Sequence, residues 1–511
     1  MTMPSILFVN TSEDEPDVRP PEPVYFADLA LDQIVAAAIA GREEYDLWPF
    51  FAQPLDDLAT IVYRQEVFRD LGDAALVEAL QGFAAAMRTM RGHLALAERL
   101  SYPHQQERWF LEAVSTYGEA VLNLGAALSV TGRCTSQGLV RFAAYIGHYT
   151  ASSRFTALRG QVQSLLHELA SLRYCLQIEG LQVQCLPYQD QADYSDEIED
   201  TFARFQEGAA ETYGFTFQDV PEMNQVEARI LDLVAELFPD LFAALAGFRA
   251  ANSDFLDAGV ARFDREMQVY LTWLEYTAPM TKAGLAFCLP LVTTTKEIYV
   301  DETVDLALAG RLVQAGIVPV ANDFRLAGPE RILVITGPNQ GGKTTFARLF
   351  GQIHYLACLG LSVPGKRAQL FLFDHLFTHF EREEHLANLR GKLQDDLVRI
   401  HAILEQATPR SLLVINEMFA STTFQDALDL SQRIAARIMK LDLLCVWVTF
   451  IDELSMLGEQ TVSMMSTVVA DNPAQRTFKI VRQPADGRAH ALTLAEQHRL
   501  TYDAIMERVK R

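Results

Sequence analysis

The chain has 511 residues, 50% of them hydrophobic and 21% charged, which exceeds one hydrophobic core and implies roughly two to four domains. No apolar run reaches the roughly 18 residues of a membrane helix, and no basic region precedes the short apolar stretch Ile6–Val9 that could make it a secretory signal. Six cysteines (Cys134, Cys175, Cys185, Cys288, Cys358 and Cys445) without a C-x-x-C pair exclude a disulfide frame or zinc site, and point to reduced thiols in a cytoplasmic protein. The net charge of −23 is unevenly placed. Residues 330–511 carry 21 Lys and Arg against 20 Asp and Glu, whereas residues 1–329 carry 22 against 46. The acidic part repels phosphate backbones, because nucleic-acid affinity comes largely from cations that displace counterions.

Residues 12–23 are acidic and proline-rich and read as an extended lead-in within 1–28. From Leu29 to Leu172 apolar residues recur at helical spacing, as in Val77–Leu100. Tyr174–Tyr188 alternates and predicts a hairpin or short strands. An acidic insertion follows from Asp190 to Glu211, then helices from Glu222 to about Thr277, the last of them one long helix over Ala258–Glu275. Residues 285–310 read as strands leading into a new domain. Beyond Arg331, apolar strands (331–336, 411–415 and 444–449) alternate with helices (343–361 and 424–441). This pattern predicts a mostly parallel sheet covered on both faces.

The loop after the first of these strands reads Gly337-Pro338-Asn339-Gln340-Gly341-Gly342-Lys343-Thr344, followed by Thr345. It satisfies G-x-x-x-x-G-K-[ST] in full, with a strand before it and a helix after it. Glycines let backbone N–H groups turn towards phosphates, Lys343 reaches the outer phosphates, and the Thr344 hydroxyl suits Mg2+. ATP with Mg2+ is therefore the expected ligand. The second strand ends in Asn416-Glu417, where such proteins carry an acidic pair. Asn416 can hold Mg2+ through water without adding charge, and Glu417 stands where a general base is needed, with Lys343 offsetting charge on the transferred phosphoryl group.

Taken together, Thr336–Thr345, Val363-Pro364, Phe373–Thr378, Asn416–Thr423 and Val448–Leu454 resemble the ATPase domain of the MutS mismatch-repair family. The loop is close to that family's T-G-P-N-M-G-G-K-S-T. Val320–Asp323 resembles its Ala-Asn segment near the nucleotide base, which places Asn322 at the nucleotide. Pro319 stands where the family has an aromatic that stacks on adenine, and Phe450 replaces the histidine of A-T-H-x-x-E-L. Arg390–Leu397 occupies the place of R-S-T-F-M-x-E-M, so Gly391 and Lys392 would face a partner's site. More faintly, Tyr63–Leu71 resembles a lever-domain helix, and 190–225 falls where the family has a DNA-gripping clamp.

The resemblance implies an α-helical lever and clamp-like region (29–285, with an insertion at about 174–225) before an α/β P-loop NTPase domain of the ABC/MutS type (286–511). Core-like helices begin by residue 30–60, leaving no room for the family's mismatch-reading domain. Phe110-Leu111-Glu112 spells that domain's Phe-x-Glu within a helical stretch and reads as coincidence. A generic ABC ATPase is disfavoured because no LSGGQ-like signature precedes Asn416. The implied function is an ATP-binding, slowly hydrolysing switch that forms a homodimer through its ATPase domain and acts on DNA structures in repair or recombination, with no membrane partner. The acidic N-terminal two thirds disfavours DNA and keeps open an ATP-regulated, protein-binding scaffold.

Overall fold

The structure, a computed structural model, describes residues 3–9, 22–130, 132–179, 182–189, 223–382, 391–469, 472–485 and 505–506. Most of the lead-in at 12–23, the acidic insertion at 190–211 and Arg390 lie outside the described residues. The chain divides into two compact units. One comprises Asp73–Cys134 with Val140–Asp264; the other comprises Thr2–Gly72, Thr135–Leu139 and Arg265–Arg511. Among the described residues no helix is long and apolar enough to cross a membrane.

The first unit is helical. Ala74–Arg99 and Pro103–Leu128 are each 26 residues long and pack as a pair. The first buries Leu76, Leu80, Phe83, Met87 and Met90, a three- and four-residue spacing that keeps one stripe inward along about 39 Å of helix. The second buries Phe110, Val114, Tyr117, Val121 and Leu124. Phe110 packs edge-on against Phe248 and Phe255, so the Phe-x-Glu triplet belongs to a helical core. The alternating stretch forms an antiparallel hairpin of Tyr174–Glu179 and Gln182–Pro187. The long helix is longer than its sequence pattern suggested, running Ala258–Lys282 with Pro279 in its last turn.

The second unit holds two larger sheets. Four strands run in the order Leu291–Thr293, Arg367–Phe371, Ile298–Thr303, Asn322–Leu326. Strand character stops at Thr303, and Asp305 instead caps a helix, Leu306–Gln314, by accepting from the Leu308 N–H at 3.1 Å. The six-stranded sheet runs Leu376–Phe380, Leu412–Asn416, Leu444–Val448, Ile332–Thr336, Thr461–Val469, Asn472–Arg482. All neighbours in it are parallel except the last pair. Three of these strands (332–336, 412–416 and 444–448) are buried at every position, which explains why they read as unbroken apolar runs rather than alternations. Helix Lys343–Cys358 buries thirteen of its sixteen residues around its whole circumference and packs on strands of both sheets. A helix apolar on all sides belongs in a protein interior.

The start of the chain is part of this unit's core. Glu266 accepts from the Ser5 hydroxyl at 2.8 Å and from the Ile6 N–H at 2.7 Å, and Arg64 donates to the carbonyls of Leu7 and Leu359. These bonds satisfy an irregular buried backbone that would otherwise lack partners.

Candidate functional site

Strand Ile332–Thr336 lies at the interior of the six-stranded sheet, and the glycine-rich loop leaves its carboxyl end. Ligands of open parallel sheets bind in that position, where loops from adjacent strands diverge. The loop needs its glycines. Gly337 and Gly342 have φ of 114° and 90°, a region closed to side chains, and Gln340 also takes a positive φ of 61°. A Cβ at Gly341 would fall 2.2 Å from the Ser466 hydroxyl, which donates to the Gly341 carbonyl at 2.7 Å. Ser466 therefore fixes the loop from the neighbouring strand.

Lys343 opens the helix and folds back over the loop. Its Nζ donates to the carbonyls of Gly337 (2.9 Å) and Pro338 (3.2 Å) and to Asn339 Oδ1 (3.2 Å). Burial pushes its pKa below the usual lysine value, with Glu417 pulling the other way. Arg476 donates to the Asn339 carbonyl at 3.2 Å, adding a second cation beside the loop. Backbone N–H groups at the start of a sixteen-residue helix, one lysine and a nearby arginine make an environment suited to a polyanion.

Thr344 donates from its hydroxyl to Asn416 Oδ1 at 3.1 Å, so two neutral oxygens from loop and strand converge. Glu417 follows in a left-handed conformation, φ 54°, with its N–H given to the Val448 carbonyl at 3.0 Å. A non-glycine residue held there costs about 1–3 kcal/mol, and the turn redirects the chain so that Glu417 lines the same cavity as Lys343 and Thr344. Oxygen donors of this kind suit Mg2+. Among the described residues no group of three His, Cys, Asp or Glu forms a metal cage. A cation between Thr344 and Asn416 would thus share its coordination with phosphate oxygens and water.

The cavity measures about 750 Å³. Asn339, Gln340, Gly342, Lys343, Thr344, Thr345 and Glu417 form its polar end. Its other end is apolar, built by Leu308 and Leu312 of the 306–314 helix, by Ile317, Val318, Pro319 and Val320, and by Phe478. Asn322 lies in the wall with both amide groups engaged: Nδ2 donates to the Phe478 carbonyl at 3.2 Å, and Oδ1 accepts from the Ile480 N–H at 2.7 Å.

The structure thus gathers Lys343, Thr344, Thr345, Asn416, Glu417 and Asn322 with the loop residues at one place. Within the loop, Pro338 and Gly341 are buried. Gly391 and Lys392 lie elsewhere, at the start of helix Lys392–Gln406, with Lys392 paired to Glu381. Phe450 is exposed beside Phe424, their ring centroids 6.4 Å apart. The sequence reading missed Phe478, Ser466 and Arg476, all in strands far along the chain. Their residue types in an ordinary strand pattern gave no signal.

Residues 333–504 match the family described as MutS domain V. Three proteins named DNA mismatch repair protein MutS are similar. That of Erythrobacter litoralis is 27% identical over 290 residues, covering 55% of this chain and 31% of the relative. That of Zymomonas mobilis is 29% identical over 215 residues (40% and 25%), and that of Chlorobium phaeovibrioides 29% over 265 residues (51% and 29%). The chain therefore spans between a quarter and a third of the length of the relatives it matches.

Proposed function

Because this chain belongs, through residues 333–504, to the MutS family, we propose that it is an ATP-driven conformational switch with a P-loop NTPase domain, working as a dimer. The observation that carries the reading is one cavity whose polar end joins the glycine-rich loop, Lys343, the Thr344–Asn416 pair and Glu417. In this proposal the loop N–H groups and Lys343 bind the β- and γ-phosphates. Thr344 and Asn416 hold the accompanying Mg2+, which supplies positive charge against the phosphates. Glu417 orients a water in line with the γ-phosphate and accepts its proton. Asn416 contributes no charge where an aspartate would, and exposed Phe450 offers no hydrogen bond, so turnover is slow and the ATP-bound state is long-lived.

The relatives are DNA mismatch repair proteins, and the proposal extends to a role on DNA structures. The charge of residues 1–329 supports a second reading, an ATP-regulated scaffold for other proteins. The nucleotide site itself is tested by thermal unfolding with Mg·ATP. Ligand at about a hundred times its Kd stabilises a protein by about 2.7 kcal/mol, so wild type should shift upward. Lys343→Ala should lose the shift, and Glu417→Gln should keep it while turnover falls about a hundredfold. An ATP-dependent shift that survives Lys343→Ala would sink the site.

A further inference from the structure

The Lys343 ammonium has three donor hydrogens, and it meets three acceptors of its own loop: the carbonyls of Gly337 and Pro338 and the Asn339 Oδ1. Reaching a phosphate requires it to release at least one of them. The loop then needs other donors to keep its shape. Two come from the strands Thr461–Val469 and Asn472–Arg482, which are nine and eleven residues long against five for their neighbour Ile332–Thr336. Pairing with that neighbour ends at Met465, opposite Thr336, so Ser466 is the first residue to run on past it, alongside the loop.

Ser466 is buried and donates from its hydroxyl to the Gly341 carbonyl at 2.7 Å. A Cβ on Gly337 would lie 3.0 Å from the Ser466 carbonyl oxygen, so loop and strand touch at both glycines. Arg476, paired with Val468 across the two strands, donates from Nε to the Asn339 carbonyl at 3.2 Å. Neither Ser466 nor Arg476 lines the cavity, whereas Asn339, Gln340 and Gly342 do. The peptide bonds of the loop are trans, so each C=O and the N–H of the next residue point in opposite directions. Holding the Asn339 carbonyl outward therefore turns the Gln340 N–H inward, and holding the Gly341 carbonyl does the same for the Gly342 N–H. Successive N–H groups turned to one side form a concave nest for an anion, and Gln340 and Gly342 have the left-handed φ, 61° and 90°, that such a nest uses.

We infer that Ser466 and Arg476 are positioning residues for phosphate binding, which hold the Gln340 and Gly342 N–H groups towards the phosphates once Lys343 turns to the ligand. The inference rests on the nucleotide-binding reading of the same cavity. It gives the two outer strands a role in binding that needs no contact with the ligand.

The test measures binding of Mg·ATP and of Mg·tripolyphosphate, which has the phosphates but no base, by calorimetry on the full chain. Ser466→Ala and Arg476→Ala should each weaken both ligands by the same factor, about threefold to tenfold, the usual scale for loss of one hydrogen bond. Arg476→Gln should keep wild-type affinity, because its amide nitrogen stands where Arg476 Nε stands and donates to Asn339 without a charge. In turnover, the alanine variants should raise KM for Mg·ATP by that factor and leave kcat unchanged, as expected for binding shared by ground and transition states. Unliganded unfolding temperature and circular dichroism check that the sheet persists. Unchanged affinity in both alanine variants overturns the inference, as does a loss of kcat at constant KM, which would leave the residues a structural role only. Arg476→Gln as weak as Arg476→Ala overturns the part given to Arg476 and assigns its charge to the phosphates directly. If wild type binds neither ligand, the nucleotide-site reading fails and the positioning role falls with it.

Discussion

At the scale of single residues, two buried imidazoles set a limit on acid tolerance. His354 is fully enclosed in the 343–358 helix, its Nδ1 hydrogen-bonded to the Phe350 carbonyl at 2.7 Å and its Nε2 without a partner. Burial lowers its pKa to about 4. His379 is lowered to about 4 as well, by burial and then by the Arg399 charge. Between pH 6.5 and 4 the unfolded chain takes up protons that these rings refuse, so stability falls as pH falls. The slope is about 1.4 kcal/mol per pH unit for each histidine. Unfolding by denaturant at pH 7, 6 and 5 should show this loss, and His354→Leu should reduce the slope by the share of one histidine. A slope identical to wild type would mean that His354 is protonated in the folded state.

Elements are joined by a few buried polar groups, and Asp305 is the clearest. Its side chain is fully enclosed and meets Arg348 at 2.6 Å, Gln352 Nε2 at 2.9 Å and the Leu308 N–H at 3.1 Å. It thereby ties the helix forming the apolar cavity wall to the helix that begins at Lys343. Removing one member of a buried ion pair is expensive because the partner keeps its desolvated charge. Asp305→Ala should cost about 3 kcal/mol and weaken ATP binding as the wall loosens, with Asp305→Asn intermediate. Denaturant unfolding and calorimetry read the two effects. Full stability in the alanine variant would show that Arg348 finds solvent when released.

For the whole molecule, charge and family pull in different directions. The proposal of a dimeric switch expects Glu417→Gln, held in its ATP state, to double its mass by light scattering in Mg·ATP but not in Mg·ADP. The acidic balance of residues 1–329 expects weak retention of duplex DNA that vanishes between about 50 and 200 mM salt. Tight binding at the higher salt would reverse the charge argument and favour the DNA reading over the scaffold.

Much of the second unit could be read from local pattern. A glycine-rich loop is a short-range object: the residues that demand its conformation are the residues that make it, so Gly337, Gly342 and Lys343 announce themselves. Fully buried strands betray themselves by unbroken apolar runs, and Asn416-Glu417 follows one directly. The helix at 306–314 was missed because its apolar residues followed strands and its start depends on the Asp305 cap.

By itself, then, the sequence determined the loop, its lysine and hydroxyl, the acid at 417 and the alternation of strands and helices, because each is fixed by neighbours a few residues away. Tertiary structure alone decided that Ser466 braces Gly341, that Asn322 spends its amide on an edge strand, and that Phe478 turns into the cavity. Those contacts join residues more than a hundred positions apart, and a positive φ at an aromatic residue is paid for by the surrounding fold.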